Sequence, residues 1–356
     1  MIIKWLIRTA KQGLWRSKVI SAMKCLDTSP ARYICTGIQQ IAVHRVSGNP
    51  SSHIQALFIS FISFLNKCVP IFWSLNLTKA NHNALMAAAP NLSSRYEIRP
   101  LELKHCNWAQ AIVALSNVYQ TRVWTASCPE EDLTRRTYKV YKSMAYLIQH
   151  QIESGHSLGV FDKEYEFKQP ESATTSGKLY WNFDDETTSI TKLLDQMDFP
   201  LVSVAMAYDS FDPLNPERLV DIMAALPGFG PAMGALDAAD QRDSSWKATG
   251  PGQVLFRAAT STRQEYEGKG IMKSLAHYLM RTAVTKGFRA IQIECVSDAV
   301  THVWSHPPEP FHTDLVSEIN SMDVIAEDES GNTYYPLRPA KQRLCKLYCR
   351  LQDSTV

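Results

Sequence analysis

The most regular pattern of apolar and polar positions lies between residues 253 and 295. Gln253-Val254-Leu255-Phe256-Arg257-Ala258-Ala259-Thr260 is β-prone at its centre and follows the breakers Gly250-Pro251-Gly252, which predicts a strand. Ile271, Met272, Leu275, Ala276, Leu279, Met280, Ala283 and Val284 then recur at helical spacing, with Lys273, His277, Arg281 and Lys286 off the stripe. Gly287 ends that helix, and Phe288 to Cys295 predicts the next strand. The strand and helix are joined by Glu265-Tyr266-Glu267-Gly268-Lys269-Gly270-Ile271-Met272.

The remaining pattern predicts a mixed α/β chain around this unit. Tyr96 to Leu101 reads as a strand and Trp108 to Tyr119 as a helix. Ser127-Cys128-Pro129-Glu130-Glu131 marks a helix start, and the apolar stripe runs on to Gly155 before a short strand at Ser157 to Phe161. Residues 162 to 198 read as loops about one strand near Lys178 to Phe183. Phe199 to Tyr208 is a stronger strand, with Pro200 where no ladder donor is needed. Pro216 opens a short helix that stops before Pro227, the stretch to Gly252 reads as loop-rich, and Leu344 to Leu351 suits a last strand. No repeat, heptad or low-complexity tract is present.

A glycine-bearing turn between a strand and a helix leaves backbone N–H groups unpaired and aimed one way, so it suits phosphate oxygens. Nucleotide loops do not fit: Lys269 is followed by Gly270 rather than by a hydroxyl residue, and the third place of a dinucleotide fingerprint is Lys273. The turn resembles the pyrophosphate loop of the GNAT acyl-CoA-dependent N-acyltransferase superfamily, Gln/Arg-x-x-Gly-x-Gly/Ala at the start of a long helix. Gly268 and Gly270 match it, and Glu265 stands where Gln or Arg is usual, with Arg263 and Gln264 just upstream as alternative donors. Tyr96-Glu97-Ile98-Arg99-Pro100-Leu101 with its following helix resembles the family's opening. The resemblance spans roughly residues 94 to 351.

The resemblance implies a central mixed sheet with two splayed strands, flanked by helices, here with an insertion before the cofactor-binding strand that shapes the acceptor pocket. It implies acetyl-CoA, or another acyl-CoA, as co-substrate and direct transfer to an amine without a metal. The pyrophosphate would meet N–H groups of Gly268, Lys269, Gly270, Ile271 and Met272, with Lys269 and Lys273 neutralising charge and Arg263 assisting. Backbone groups of Phe256, Ala258 and Thr260 would line the pantetheine arm, one N–H polarising the thioester carbonyl. Glu294 is the first candidate base, with His302 and Asp298 as rivals. The family's acid motif, Asn-x-x-Ala-x-x-x-Tyr, has Val296 and Val303 at its Asn and Tyr places, which leaves Ser297, a water or Tyr334-Tyr335 for that role, or a thiolate that departs unassisted. The alternatives are a coenzyme A-binding module without transfer activity and a mitochondrial or membrane-surface protein.

Charge divides the chain. Residues 1–85 hold ten Lys and Arg against one acid, Asp27, a net +9, whereas the remainder carries 27 basic and 34 acidic side chains, a net −7. Residues 1–85 are expected to be an extension, either a mitochondrial-type presequence, a membrane-surface anchor or the product of a misplaced start codon ahead of Met86-Ala87-Ala88-Ala89-Pro90. Residues 86–356 are then the transferase-like domain, expected in the cytoplasm, or in mitochondria if the presequence is genuine. Ala56 to Leu65 is about half the length of a membrane span, so no stable insertion is expected. No basic face with interleaved aromatics suggests nucleic acid. Cys345 and Cys349 read as one face of a strand packed in the core, and the eight cysteines as reduced thiols without structural zinc. The acceptor is a small-molecule amine or a protein lysine, and Asp184-Asp185-Glu186, Asp195 and Asp198 are candidates for attracting a cationic one. Oligomeric state is left open.

Overall fold

The computed structural model describes residues 92–352 apart from Ser127 and Glu329, so the expectations for residues 1–85 and for Met86 to Pro90 lie outside the described residues. Seven strands form one mixed sheet: β1 (Tyr96–Pro100), β2 (Leu158–Asp162), β3 (Leu201–Asp209), β4 (Val254–Thr262), β5 (Ala290–Cys295), β6 (His312–Asn320) and β7 (Arg343–Arg350). Their order across the sheet is β1-β2-β3-β4-β5-β7-β6. All neighbours are antiparallel except β4 and β5, which run parallel. A parallel pair needs a crossover, and helix α8 (Ile271–Thr285) supplies it.

Helix α8 covers one face of β2, β3 and β4, burying Ile271, Leu275, Leu279 and Met280 against Leu255, Ile291 and Ile293. Each such side chain contributes about 1.5–3 kcal/mol of burial. Helix α9 (Asp298–Ser305) continues that layer over β5, β7 and β6. On the opposite face α1 (Cys106–Leu115) lies on β3 and β4, backed by α2 (Leu133–Ser143) and α3 (Ala145–Glu153). Cys345 and Cys349 are fully buried on the α8 side of β7, beside Cys295 and Leu347.

Four elements depart from the pattern. The helix expected to run unbroken to Gly155 breaks at Met144, because α2 packs on α1 and α6 (Val220–Ala225) while α3 packs on α1 and β3. Residues 162 to 198 hold no full strand: they contain α4 (Pro170–Thr175), α5 (Ile190–Asp195) and a two-residue ladder, Lys178–Leu179 on Met197–Asp198. Trp181 is buried instead, its Nε1 donating to Leu193 O at 2.9 Å. The first part of the stretch after Pro227 is not loop but α7 (Phe229–Ala238), in which Pro231 occupies the first turn, where a missing N–H costs nothing, whereas residues 240–252 are loop about one short turn, as expected. The strand β6 completes the sheet beside β7. Among the described residues no single helix is long and apolar enough to cross a membrane.

Candidate active site

The turn ahead of α8 has the geometry that its glycines suggest. Gly268 and Gly270 have φ of 73° and 71°, a left-handed conformation that side chains resist, and a Cβ at either would meet nothing within 4 Å. The glycines therefore serve backbone handedness, and the space over the turn is open. The first hydrogen bond of the helix runs from Ser274 N–H to Gly270 O, 3.1 Å. N–H groups of Gly268, Lys269, Gly270, Ile271, Met272 and Lys273 have no acceptor among the described hydrogen bonds, so six donors are left unpaired at and just before the positive end of a helix dipole. Lys269 and Lys273 are exposed beside them, Ile271 sends its side chain into the core, and Met272 is half-buried.

Two contacts hold the turn to the sheet. Tyr266 Oη donates to Asp162 Oδ2 at 3.1 Å, and Asp162, buried at the end of β2, also takes both nitrogens of a fork from Arg95. Those hydrogen bonds keep the Asp162 carboxyl below its ordinary value, against the burial that pushes it up. Arg263, expected near the anion, is turned inward instead: it is buried, with Nη1 on Phe199 O at 3.1 Å and Nε on Glu265 Oε1 at 2.9 Å. The departure at Glu265 is thus answered by an ion pair within the turn, which takes Arg263 out of the donor set.

The parallel pairing of β4 with β5 stops early. It runs from Val254↔Ala290 to Arg257↔Ile293, after which Ala258 to Thr262 have no partner on the β5 side. A register shift against β3 between Met206 and Ala207 leaves Ala258 without an opposite residue, a bulge at the point where the strands part. Ala258 and Thr260 therefore lie along a free edge, whereas Phe256 lies inside the paired stretch, its ring 5.3 Å from that of Tyr208, and is not on that edge. Arg257, unremarked in the pattern, is buried at the apex of the opening. A charged residue in the middle of an apolar strand was the available signal.

Beyond the end of β5 a cavity of about 220 Å³ is lined by Gln120, Thr121, Val123, Ala126, Val296, Ser297, Ala340, Lys341 and Gln342. Its walls come from the connection after α1, the start of α9 and the approach to β7. The insertion between β3 and β4 supplies none of them; its helix α7 packs instead on β6 and β7. Ser297 is the N-cap residue of α9, yet its hydroxyl makes no capping bond and remains free at the cavity wall. Gln120 ties the cavity to the turn, its Nε2 donating to Thr262 O at 3.1 Å and to Glu267 Oε1 at 2.8 Å.

Glu294 lies two residues inward from Val296, directly opposite Lys346 on β7. Burial, the largest influence, pushes its carboxyl up to about 7; Lys346 and Arg257 oppose that and Asp237 adds to it. Lys346 is itself buried and shared between Asp237 and Asp240, the latter held at about 2 chiefly by its hydrogen bond from Arg242. His302 is elsewhere: it is exposed on α9, its ring 4.5 Å from that of His306. Asp298 is exposed too, and Tyr334 and Tyr335 are exposed and contribute no side chain to the cavity. Cys295 is fully buried, which pushes its thiol up and disfavours the thiolate.

The acidic residues expected to attract a cationic acceptor have other uses. Asp185 accepts from Thr187 and Thr188, Asp195 pairs with Lys168, and buried Asp198 accepts the N–H groups of Lys168 and Gln169. None of them, nor Asp184 or Glu186, lines the cavity.

No family model matches this chain, and no curated protein matches it by sequence. Solved structures with a similar chain path include the C-terminal condensation domain of Ebony in complex with beta-alanyl-dopamine, 12% identical over 71% of this chain and 97% of that one, with a TM-score of 0.45. Arylalkylamine N-acetyltransferase 2 from Aedes aegypti is 12% identical over 73% of this chain and 100% of its own, TM-score 0.43. Drosophila melanogaster polyamine N-acetyltransferase, which forms N-acetylagmatine, is 13% identical over 72% and 99%, TM-score 0.42. At these identities and scores the functional reading rests on the site's own geometry.

Proposed function

We propose that this chain is an N-acyltransferase of the GNAT type that uses acetyl-CoA, or another acyl-CoA, to acylate an amine. The observation that carries the reading is the set of six unpaired N–H groups, Gly268 to Lys273, at the end of a strand whose neighbour has parted from it. Bound there, an acyl-CoA would supply a thioester whose acyl group is ready for transfer. The open turn accommodates a pyrophosphate, because no side chain stands over Gly268 or Gly270. Lys269 and Lys273 add two positive charges at the rim.

The free edge of β4 offers backbone donors at Ala258 and Thr260, held in place by the pairing with β3 and the bulge. Glu294, with a carboxyl at about 7, is matched to accept a proton from an amine near neutral pH, through water across the cavity wall. Ser297 offers a free hydroxyl at that wall to a departing group. The absence of a tyrosine from the cavity lining favours, as a second reading, a module that binds coenzyme A without transfer.

Titration calorimetry with coenzyme A tests the first step, and thiol release from acetyl-CoA against an amine panel tests the second. Binding by the wild type and its loss in Gly268→Glu, which sets a carboxylate over the nest, are expected. Equal binding by the two proteins rejects the turn as the phosphate site; binding without thiol release favours the second reading.

A further inference from the structure

The gap that opens between β4 and β5 is bridged at its outer end. Thr262 C=O and Arg263 N–H belong to one peptide unit, and in a trans peptide they point opposite ways. The N–H donates to Val202 O on β3 at 2.9 Å, so Thr262 O points away from β3, to the free edge. It is the last carbonyl of β4 and the outward one nearest the turn. The side chain of Gln120 already holds it: Nε2 donates to Thr262 O at 3.1 Å and, through its second hydrogen, to Glu267 Oε1 at 2.8 Å. Glu267 directly precedes Gly268, so a single amide spans from the strand edge to the turn.

The backbone that carries Gln120 is irregular. After α1 the helix widens into a π-helical turn, Ser116 to Gln120, closed by Thr121 N–H on Ser116 O at 2.8 Å. Such turns are rare and concentrate at functional sites. Val118 stays in the core, while Tyr119 and Gln120 emerge half-buried at the end of the turn. Among the described hydrogen bonds, no other group between α1 and α2 reaches β4 or the turn, so the two bonds of Gln120 are the polar link between them.

A thioester arm that runs from a phosphate on the turn to the free edge at Thr260 and Ala258 has to pass Thr262 O. The arm of coenzyme A carries amide N–H groups that suit that carbonyl, and the Gln120 amide stands in the same place. We propose that Gln120 is a clasp across the donor slot, displaced by the amide-bearing arm of an acyl-CoA as it enters. Gln120 then releases Thr262 O and Glu267, and an amide N–H of the arm takes over the strand carbonyl. The inference rests on the acyl-CoA reading above and adds a step to it: the slot is closed until the donor opens it. Opening reaches the cavity as well, because Gln120, Thr121, Val123 and Ala126 lie on one connection and together form one of its walls.

Calorimetry on the full chain compares coenzyme A with 3′-phospho-ADP, the same nucleotide without the arm, and the ratio of the two affinities isolates the arm. Gln120→Ala removes both hydrogen bonds and should raise the affinity for coenzyme A by roughly three- to tenfold, the net worth of such bonds, while that for 3′-phospho-ADP stays within about twofold. Gln120→Lys exchanges the neutral bond to Glu267 for an ion pair and should lower the ratio. With wild-type binding of coenzyme A intact, a ratio that is unchanged in both variants, or that falls in Gln120→Ala, overturns the inference and leaves the acyl-CoA reading standing. So does a crystal structure of the coenzyme A complex in which Gln120 Nε2 still donates to Thr262 O. Failure of the wild type to bind coenzyme A overturns both.

Discussion

Replacing Glu294 by glutamine removes a carboxyl that the fold holds near neutral pH. In the unfolded chain this group ionises near 4.5, and in the folded protein near 7, a gap equivalent to at most roughly 3 kcal/mol. The sign follows from proton counting. Between those two values the folded state holds the proton and the unfolded state does not, so stability is full below about 4.5 and falls as pH rises through about 7. Glutamine mimics the protonated acid and does not titrate. Urea unfolding from pH 4.5 to 8 should therefore give near-equal stabilities at the acid end and an increasing advantage for Glu294→Gln towards pH 8. Lys346 and Arg257 pull the other way and Asp237 reinforces the effect, so the slope belongs to burial. Parallel stability profiles for the two proteins would refute the reasoning. If Glu294 is also the base, the acid limb of the rate profile should disappear in the same variant.

Asp162→Asn should cost about 1–3 kcal/mol, because it weakens the acceptor of Tyr266 and of Arg95, while Arg95, two-fifths exposed, keeps water and Glu164 as partners. Urea unfolding reads the loss, and coenzyme A affinity should fall with it because Tyr266 anchors the turn; an unchanged affinity would detach the turn from that anchor. Ser297→Ala should leave stability within about 0.5 kcal/mol, since its hydroxyl makes no capping bond. Its turnover, followed by thiol release, should drop, and full turnover would remove Ser297 from the proton path.

The unit from β4 to β5 was legible almost residue by residue, because its signals are local. Gly250-Pro251-Gly252 stops what precedes, the apolar stripe from Ile271 carries the helix, and Gly287 with φ of 92° ends it. Where signals conflicted, the local reading failed. Pro227 and Pro231 read as breakers, yet a proline in a first turn is compatible with helix, and the apolar face of α7 had β6 and β7 to cover. The continuous stripe into α3 gave no warning of the break at Met144, since only packing assigned its two halves to different neighbours.

The site divides along the same line. The turn's donors were readable from Gly268 and Gly270, since their positive φ and the missing acceptors of a helix start are properties of the backbone alone. The fate of the charged side chains was not. Arg263 faces inward because Phe199 O and Glu265 wait for it, His302 faces water because Thr301, Val303 and Trp304 claim the buried side of α9, and the cavity joins walls more than two hundred residues apart. Sequence periodicity and glycine placement decided which segments are strand, turn and helix and where an anion can rest. Only the folded sheet decided that Arg257 loses its water and Glu294 part of its own, because that loss depends on which distant elements close over them, and their chemistry follows from it.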